Sequence, residues 1–305
     1  MNLQLAHSRA EIFDARRPAV RPPAVRLADQ SGVTPLTGRD EREVFDFLKI
    51  RPVHTVIMRS FIADNGFTSE FNRGRFYGYR NAAGVLEGVA LIGHSTLVEA
   101  RSEAALMNLA LKARESETPI NLMMSDGDSI ESFWRYYAGT ASAPRLVCLE
   151  LLFEIKHPLL VREPVPAMRQ ARAEDLLPIA EAHAAVALAE SGADPLERDP
   201  EGFLRRVLRR IEQGRVWVVF EDGELVFKAD VVAETPEVMY LEGIYVDPAR
   251  RGRGLGTRCL SQLSRTLLDR VRSLCLLSNI NFHQAHKAYL KAGFKSRDCC
   301  VTIFV

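Results

Sequence analysis

The stretch at 240–260, YLEGIYVDPARRGRGLGTRCL, carries the residue types that hold a diphosphate. A strand-like run of β-branched and aromatic residues stops at Asp247–Pro248, a short basic loop follows, and a helical pattern begins after it. Gly252, Gly254 and Gly256 leave backbone N–H groups unshielded where a helix start adds its partial positive charge. Arg250, Arg251 and Arg253 add formal charge and charge-assisted hydrogen bonds. Together these form an anion nest suited to a diphosphate. The stretch lacks the GK[ST] ending of the nucleotide-binding P-loop. It also lacks the GxGxxG fingerprint within a βαβ unit.

Other side chains nearby could do proton chemistry. Glu242 lies four residues before Val246, and strand alternation would put it on one face with Ile244 and Val246. An acid on an apolar face is seldom buried without a partner. It is either a general base or a structural hydrogen-bond partner of a neighbouring strand. Lys228 shares an alternating face with Asp230 in the apolar strand VFKADVV. It would select an acidic substrate group or pair with Asp230 or Glu242. Tyr289 sits in a helical pattern where aromatics often face the core. His183, His283 and His286 have no partners at metal-ligand spacing and read as surface or helix-capping residues. The five cysteines (Cys148, Cys259, Cys275, Cys299 and Cys300) form no CxxC pair, so no metal is expected. Their odd number and the adjacent Cys299–Cys300 suggest reduced thiols in a cytoplasmic protein.

These groups must be positioned by a chain of 305 residues, long enough for two domains. Charge is balanced, 40 Lys+Arg against 39 Asp+Glu, which argues against a nucleic-acid partner. No apolar run approaches the ~18 residues of a membrane span, and no secretory signal is expected at the start. Residues 1–35, with PAVRPPAVR, read as a disordered arm. A first domain is expected over 36–158: helices near 40–49 and 52–64, strands at 75–80 and 84–92 and near Leu97, a helix at 102–114, a strand at 120–124, a helix at 129–137 and a strand at 146–155. The Pro-containing stretch 159–166 is the expected linker. The second domain, 167–305, has a strand at 167–173, helices at 174–191 and 200–212, and strands at 215–221, 224–233 and 238–246. A helix at 254–271, a strand at 274–278, a helix at 283–292 and a strand at 301–305 complete it. Both halves share strands–helix–strand–helix–strand, which predicts an α+β fold duplicated within the chain.

The second half resembles the GNAT N-acetyltransferase superfamily. The motif [Q/R]-x-x-G-x-[G/A] is matched by Arg251, Gly254 and Gly256, and V-x-P by Val246–Asp247–Pro248. The pattern around the last helix is matched by Asn279, Ala285, Tyr289 and Gly293–Phe294, while Phe282 stands where many relatives place a further Asn. The whole chain looks like tandem-GNAT proteins with a degenerate N-terminal domain. The first half has only VEAR, without glycine, between the strand near Leu97 and the helix at Ser102.

The resemblance implies two GNAT-like domains, each a mixed, mostly antiparallel sheet flanked by helices, with acetyl-CoA as cosubstrate. The main chain of Ile244, Tyr245 and Val246 would pair with the pantetheine arm. The amide of Val246 or a neighbour would polarise the thioester. The amides of Gly252, Arg253, Gly254, Leu255, Gly256 and Thr257, with Arg251, would hold the pyrophosphate. Asn279 and Tyr289 would reach the CoA arm and sulfur. In such chemistry Glu242 is the candidate base and Tyr289 the candidate acid, with Lys228 a candidate substrate contact. The expected activity is direct acetyl transfer to a primary amine of a small molecule or peptide. The alternatives are another acyl-CoA, or an acetyl-CoA sensor without catalysis. The acceptor stays open, and homodimer formation is an expectation of association only.

Overall fold

A computed structural model describes residues 32–139, 143–161 and 163–305. Most of the expected N-terminal arm (residues 1–31) lies outside the described residues. The chain forms two compact units: one runs up to Glu150 and takes back Asp298–Val305, and the other is Leu151–Arg297.

Unit one begins with β1 (Val33–Pro35), α1 (Glu41–Leu48) and α2 (Val56–Asn65). It continues with β2 (Gly74–Arg80), β3 (Leu86–Gly93), β4 (Ser95–Ala100), α3 (Glu103–Arg114), β5 (Leu122–Asp126), α4 (Gly127–Ala138) and the start of β6 (Leu146–Ile155). Its strands lie in the order β1-β2-β3-β4-β5, antiparallel except for the parallel pair β4–β5. Unit two contains β7 (Arg169–Gln170), α5 (Leu176–Ser191), α6 (Pro195–Arg198), α7 (Pro200–Glu212), β8 (Val216–Glu221), β9 (Glu224–Glu234) and β10 (Val238–Val246). Then come α8 (Leu255–Leu268), β11 (Ser273–Asn279), α9 (His283–Lys291) and the start of β12 (Lys295–Phe304), which belongs to unit one from Asp298 on. Its order is β6-β11-β10-β9-β8-β7, with β10–β11 parallel. The element order of one unit repeats in the other, which is the duplicated α+β fold expected from the sequence.

The closing strands cross over. The last residues of the chain, Cys300 to Phe304 in β12, pair antiparallel with β5 of unit one. There Val301 and Ile303 join a buried cluster with Leu109, Ile130 and Phe133. The end of β6, in turn, belongs to unit two and lies beside β11.

Local signals explain most boundaries. Asp199 accepts the Gly202 N–H at 3.0 Å, Pro200 occupies the first turn, and Phe203, Val207 and Ile211 bury one stripe of α7. Asp222 and Gly223 both have positive φ, 53° and 85°, the two-residue turn that suits the twist of the β8–β9 hairpin. Where the structure departs from the sequence reading, tertiary pairing decides. The strand expected at 167–173 shrinks to Arg169–Gln170, which pair with Val218 and Trp217, and one further bond, from the Ala171 N–H to the Val216 carbonyl at 2.8 Å, ends the contact. The final strand begins earlier than expected, at Lys295, and from Cys300 onward it pairs with β5. The helix at 254–271 stops at Leu268, after its buried stripe has run out at Leu267.

Candidate functional site

The glycine-rich loop of unit two has the shape expected of an anion nest. Pro248–Arg250 makes a single 3-10 turn, capped by Asp247 through the Ala249 N–H at 2.8 Å. Gly252 and Gly254 have φ of 76° and 81°, a region that side chains with a Cβ rarely enter. A Cβ at either would meet nothing within 4 Å, so the glycines serve the backbone path and leave the amides open rather than relieve crowding. Gly254 is the N-cap of α8 and no side chain caps the helix. The Arg258 N–H donates to the carbonyl of the cap residue, Gly254, at 3.1 Å, which closes the first turn. The N–H groups of Leu255, Gly256 and Thr257 therefore face outward from a helix start, where an anion is favoured. Gly256 also lets α8 approach β10, since a Cβ there would lie 3.0 Å from Val246 Cγ2. Arg251, exposed, donates from Nε to the Val246 carbonyl at 3.0 Å and so ties the loop to the strand end. Arg253 is exposed, and Arg250 lies 3.3 Å from Glu221.

Upstream of the loop the sheet opens. The β10–β11 ladder ends at Leu241 and Leu276, while β10 continues to Val246 and β11 to Asn279. On the other edge, β9 and β10 carry a bulge. Glu242 lies opposite Asp230 but Tyr245 lies opposite Lys228, so Gly243 and Ile244 share one extra position. Gly243 has a φ of 58°, which suits a bulge. The bulge overturns the expected alternation: Glu242 shares its face with Tyr245, and Ile244 and Val246 lie on the opposite face. Tyr245 packs into the cluster of Ile179, Phe203 and Val218 under α5 and α7, and Glu242 is exposed. Asp247 donates its N–H to Val226 of β9 at 3.0 Å. By the strand period the Val246 N–H then turns to the opposite edge, on the side of β11, while its carbonyl accepts from Arg251 Nε.

Beneath the bulge lies a charged cluster. Lys228 has 0% exposure, and its Nζ donates to Asp230 Oδ1 and to the Gly243 carbonyl, both at 2.8 Å. Arg210 of α7 donates to Asp230 Oδ2 at 2.8 Å. His183 of α5 places Nδ1 3.2 Å from the same oxygen, off the line of a hydrogen bond, with its ring edge-on to Phe203. Burial alone would raise the Asp230 pKa, but Lys228, His183 and Arg210 together hold it far below the usual carboxylate range. Burial and then the charge of Lys228 depress His183, so it is neutral at pH 7. This corrects the surface reading of His183. Lys228 is an interior group whose acceptors are both protein atoms.

Tyr289 of α9 is 8% exposed and packs edge-on against both Phe153 and Phe294. Burial, and secondarily the charge of Glu190, push its phenol up to about 12, while Ser278 acts in the opposite sense. The Ser278 hydroxyl itself is buried and has no partner of hydrogen-bond geometry. Asn279 shapes the β11–α9 turn, its Oδ1 accepting the Asn281 N–H and its carbonyl accepting from Phe282 N and facing His286 Nε2. His283 is exposed. Cys259 on α8 is buried and its thiol is pushed up to about 12, chiefly by burial, so it is no nucleophile at neutral pH. Among the described residues no group of His, Cys, Asp and Glu is placed to hold a metal.

The fit of a CoA-type ligand to these groups is good on three counts. An uncapped helix start faces outward behind open glycines. A strand edge lacks a partner strand. An orphaned buried hydroxyl, Ser278, lies beside Tyr289. Gly243, Ser278, Asp230, Arg210 and His183 were not selected as site residues from the sequence. Gly243 alone had a readable signal there, a glycine inside a strand.

The equivalent region of unit one is built differently. Its β4–β5 ladder also stops early, at Leu97 and Met124, but Ser125 Oγ bridges to the Val98 carbonyl at 2.8 Å. Arg51 spans the strand ends, with NH1 3.1 Å from Glu99 Oε2 and 2.7 Å from Asp126 Oδ2. Around Glu99 the β3–β4 register runs without a bulge. The following helix is capped by Ser102 through the Ala105 N–H, and Glu103 occupies its first turn, where a diphosphate would meet a negative charge.

Comparison with known proteins agrees with this fold. Residues 212–296 match the family described as Acetyltransferase (GNAT) domain. A search of curated proteins gives no match. Among solved structures, a Drosophila protein aligns with a TM-score of 0.65 at 14% identity, over 90% of this chain and 98% of that one. A tandem GNAT protein from the clavulanic acid biosynthesis pathway aligns with a TM-score of 0.55 at 15% identity, over 90% and 97%. A GNAT-family acetyltransferase from Colwellia psychrerythraea aligns with a TM-score of 0.53 at 15% identity, over 89% and 98%. The chain therefore resembles the tandem proteins of the GNAT superfamily: two units of that fold, with its acetyltransferase domain matched in the second.

Proposed function

We propose that unit two binds acetyl-CoA and transfers its acetyl group directly to a primary amine of a small molecule or peptide. The observation that carries this reading is the early end of the β10–β11 ladder just ahead of the uncapped, glycine-exposed start of α8. The amides of Gly252 to Thr257 with Arg251 and Arg253 would hold the diphosphate. The strand edge at Ile244 and Val246 would receive the pantetheine arm. Acetyl-CoA would supply a thioester carbonyl as the electrophile.

The protein's own groups cover the remaining needs. An alkyl ammonium of pKa ~10 must lose a proton before attack. Glu242 is exposed on the strand that opens the gap and would take that proton, directly or through water. N–H groups of the bulge would face the charge that grows on the carbonyl oxygen. Tyr289, held protonated, would donate a hydrogen bond toward the sulfur. The inert Cys259 supports direct transfer without an acyl-cysteine. Unit one, with its gap bridged by Arg51 and Ser125, would frame the protein without taking cofactor. The five free, buried cysteines suit a cytoplasmic setting.

The test is release of free CoA thiol from acetyl-CoA in the presence of a panel of primary amines. Amine-dependent release is expected with at least one class. Tight acetyl-CoA binding with no release for any amine would make unit two a sensor.

A further inference from the structure

Lys228 raises a physical question that acetyl-CoA binding alone leaves unanswered. A buried ion pair adds little net stability compared with apolar packing of the same volume. This one involves Lys228, Asp230, Arg210 and His183, drawn from β9, α7 and α5, and it lies under the bulge in β10. Its outward-facing contact is specific: the ammonium donates to the Gly243 carbonyl. Gly243 makes room for that bond, because a Cβ there would lie 2.8 Å from Lys228 Nζ and 3.4 Å from Asp230 Oδ2.

The Gly243 carbonyl and the Ile244 N–H belong to one planar trans peptide and point in opposite directions. A cation on the oxygen side draws density from the amide and makes the N–H on the other side a stronger donor. With the carbonyl held by Lys228 of β9, that N–H is directed away from Lys228.

We propose that Lys228 is a positioning residue: fixed by Asp230, which Arg210 holds in turn, it grips the Gly243 carbonyl and thereby aims and strengthens the Ile244 amide as the donor to the acyl oxygen. The inference rests on the acetyl-CoA reading above. It makes Lys228 act through the backbone and not by touching substrate.

The experiment is difference infrared spectroscopy of acetyl-CoA, labelled with carbon-13 at the carbonyl, bound to the full chain. In the wild type the thioester stretch should move to lower wavenumber than in free solution. Lys228→Met should lose at least half of that displacement, with affinity for CoA itself, which has no acyl group, unchanged. A purely structural role would lower affinity and displacement together, and that result overturns the proposal, as does an equal displacement in both proteins. Should the variant fail to fold, the wild type alone decides through NMR of isotope-labelled isoleucine. An Ile244 amide proton well downfield of ordinary strand values supports the proposal, and one within that range refutes it. Failure of the wild type to take up acetyl-CoA is a separate outcome, which removes the functional reading and the inference with it.

Discussion

Tyr289 keeps its proton across the whole neutral range, because its phenol is pushed up to about 12. That value sharpens its role. A phenol at about 12 is a weaker acid than a thiol at about 8.5, so complete proton transfer to a leaving thiolate is uphill by roughly 5 kcal/mol. In the proposed reaction Tyr289 would therefore hydrogen-bond the sulfur, with the proton reaching it later from the amine, and would not act as an outright acid. Tyr289→Phe should then lower kcat by ~10–100-fold while leaving the KM for acetyl-CoA little changed. A loss confined to affinity would make Tyr289 a binding residue.

His183 supports a second prediction at this scale. Burial, then Lys228, places its folded-state pKa below the unfolded value of about 6.5. The unfolded chain therefore takes up the proton first, so this contribution to stability is fully present above pH about 6.5 and is lost as pH falls below it. The melting temperature of the wild type should fall more steeply between pH 7 and pH 5 than that of His183→Phe, whose ring can still meet Phe203 edge-on. Equal slopes by calorimetry would contradict the burial argument. The loop glycines and the helix that carries Tyr289 are legible in the sequence because motif and spacing are local. It misplaced Glu242 and His183 because a one-residue bulge and a helix packing face are decided by neighbours far away in the chain.

At the scale of elements, capping and period fixed what could be read. The strands at 146–155 and 238–246 and the helix at 200–212 coincide with the expected limits, each bounded by a local stop or cap. β1 and α6 were missed because three or four residues carry too little pattern to stand out. The destination of β12 is the least readable feature, since an alternating apolar strand does not name its partner. Its end serves unit one: Val301 and Ile303 are buried there, and Cys300 to Phe304 cover β5. Removing residues 298–305 should expose the β5 edge and cost about 3–6 kcal/mol from the two lost aliphatic side chains alone. Hydrogen exchange at Leu122 to Asp126 should rise sharply. Unchanged protection of those amides would deny the pairing. By the same logic a fragment starting at residue 167 leaves out Leu151 to Ile155, which belong to unit two.

For the whole molecule the repeated element order predicts two similar units, and the differences between them predict that only unit two takes the proposed cofactor. Unit one closes its strand gap with Arg51, Glu99, Asp126 and Ser125 and caps its helix with Ser102. Unit two leaves both features open. Calorimetric titration of the full chain with CoA, beside Thr257→Glu, tests this most directly. A glutamate in the first turn of α8 is favourable to the helix itself but repels a diphosphate. The expected result is one CoA per chain, with affinity reduced by at least about tenfold in Thr257→Glu at an undiminished melting temperature. No uptake by the wild type, or equal affinity in both proteins, would contradict it.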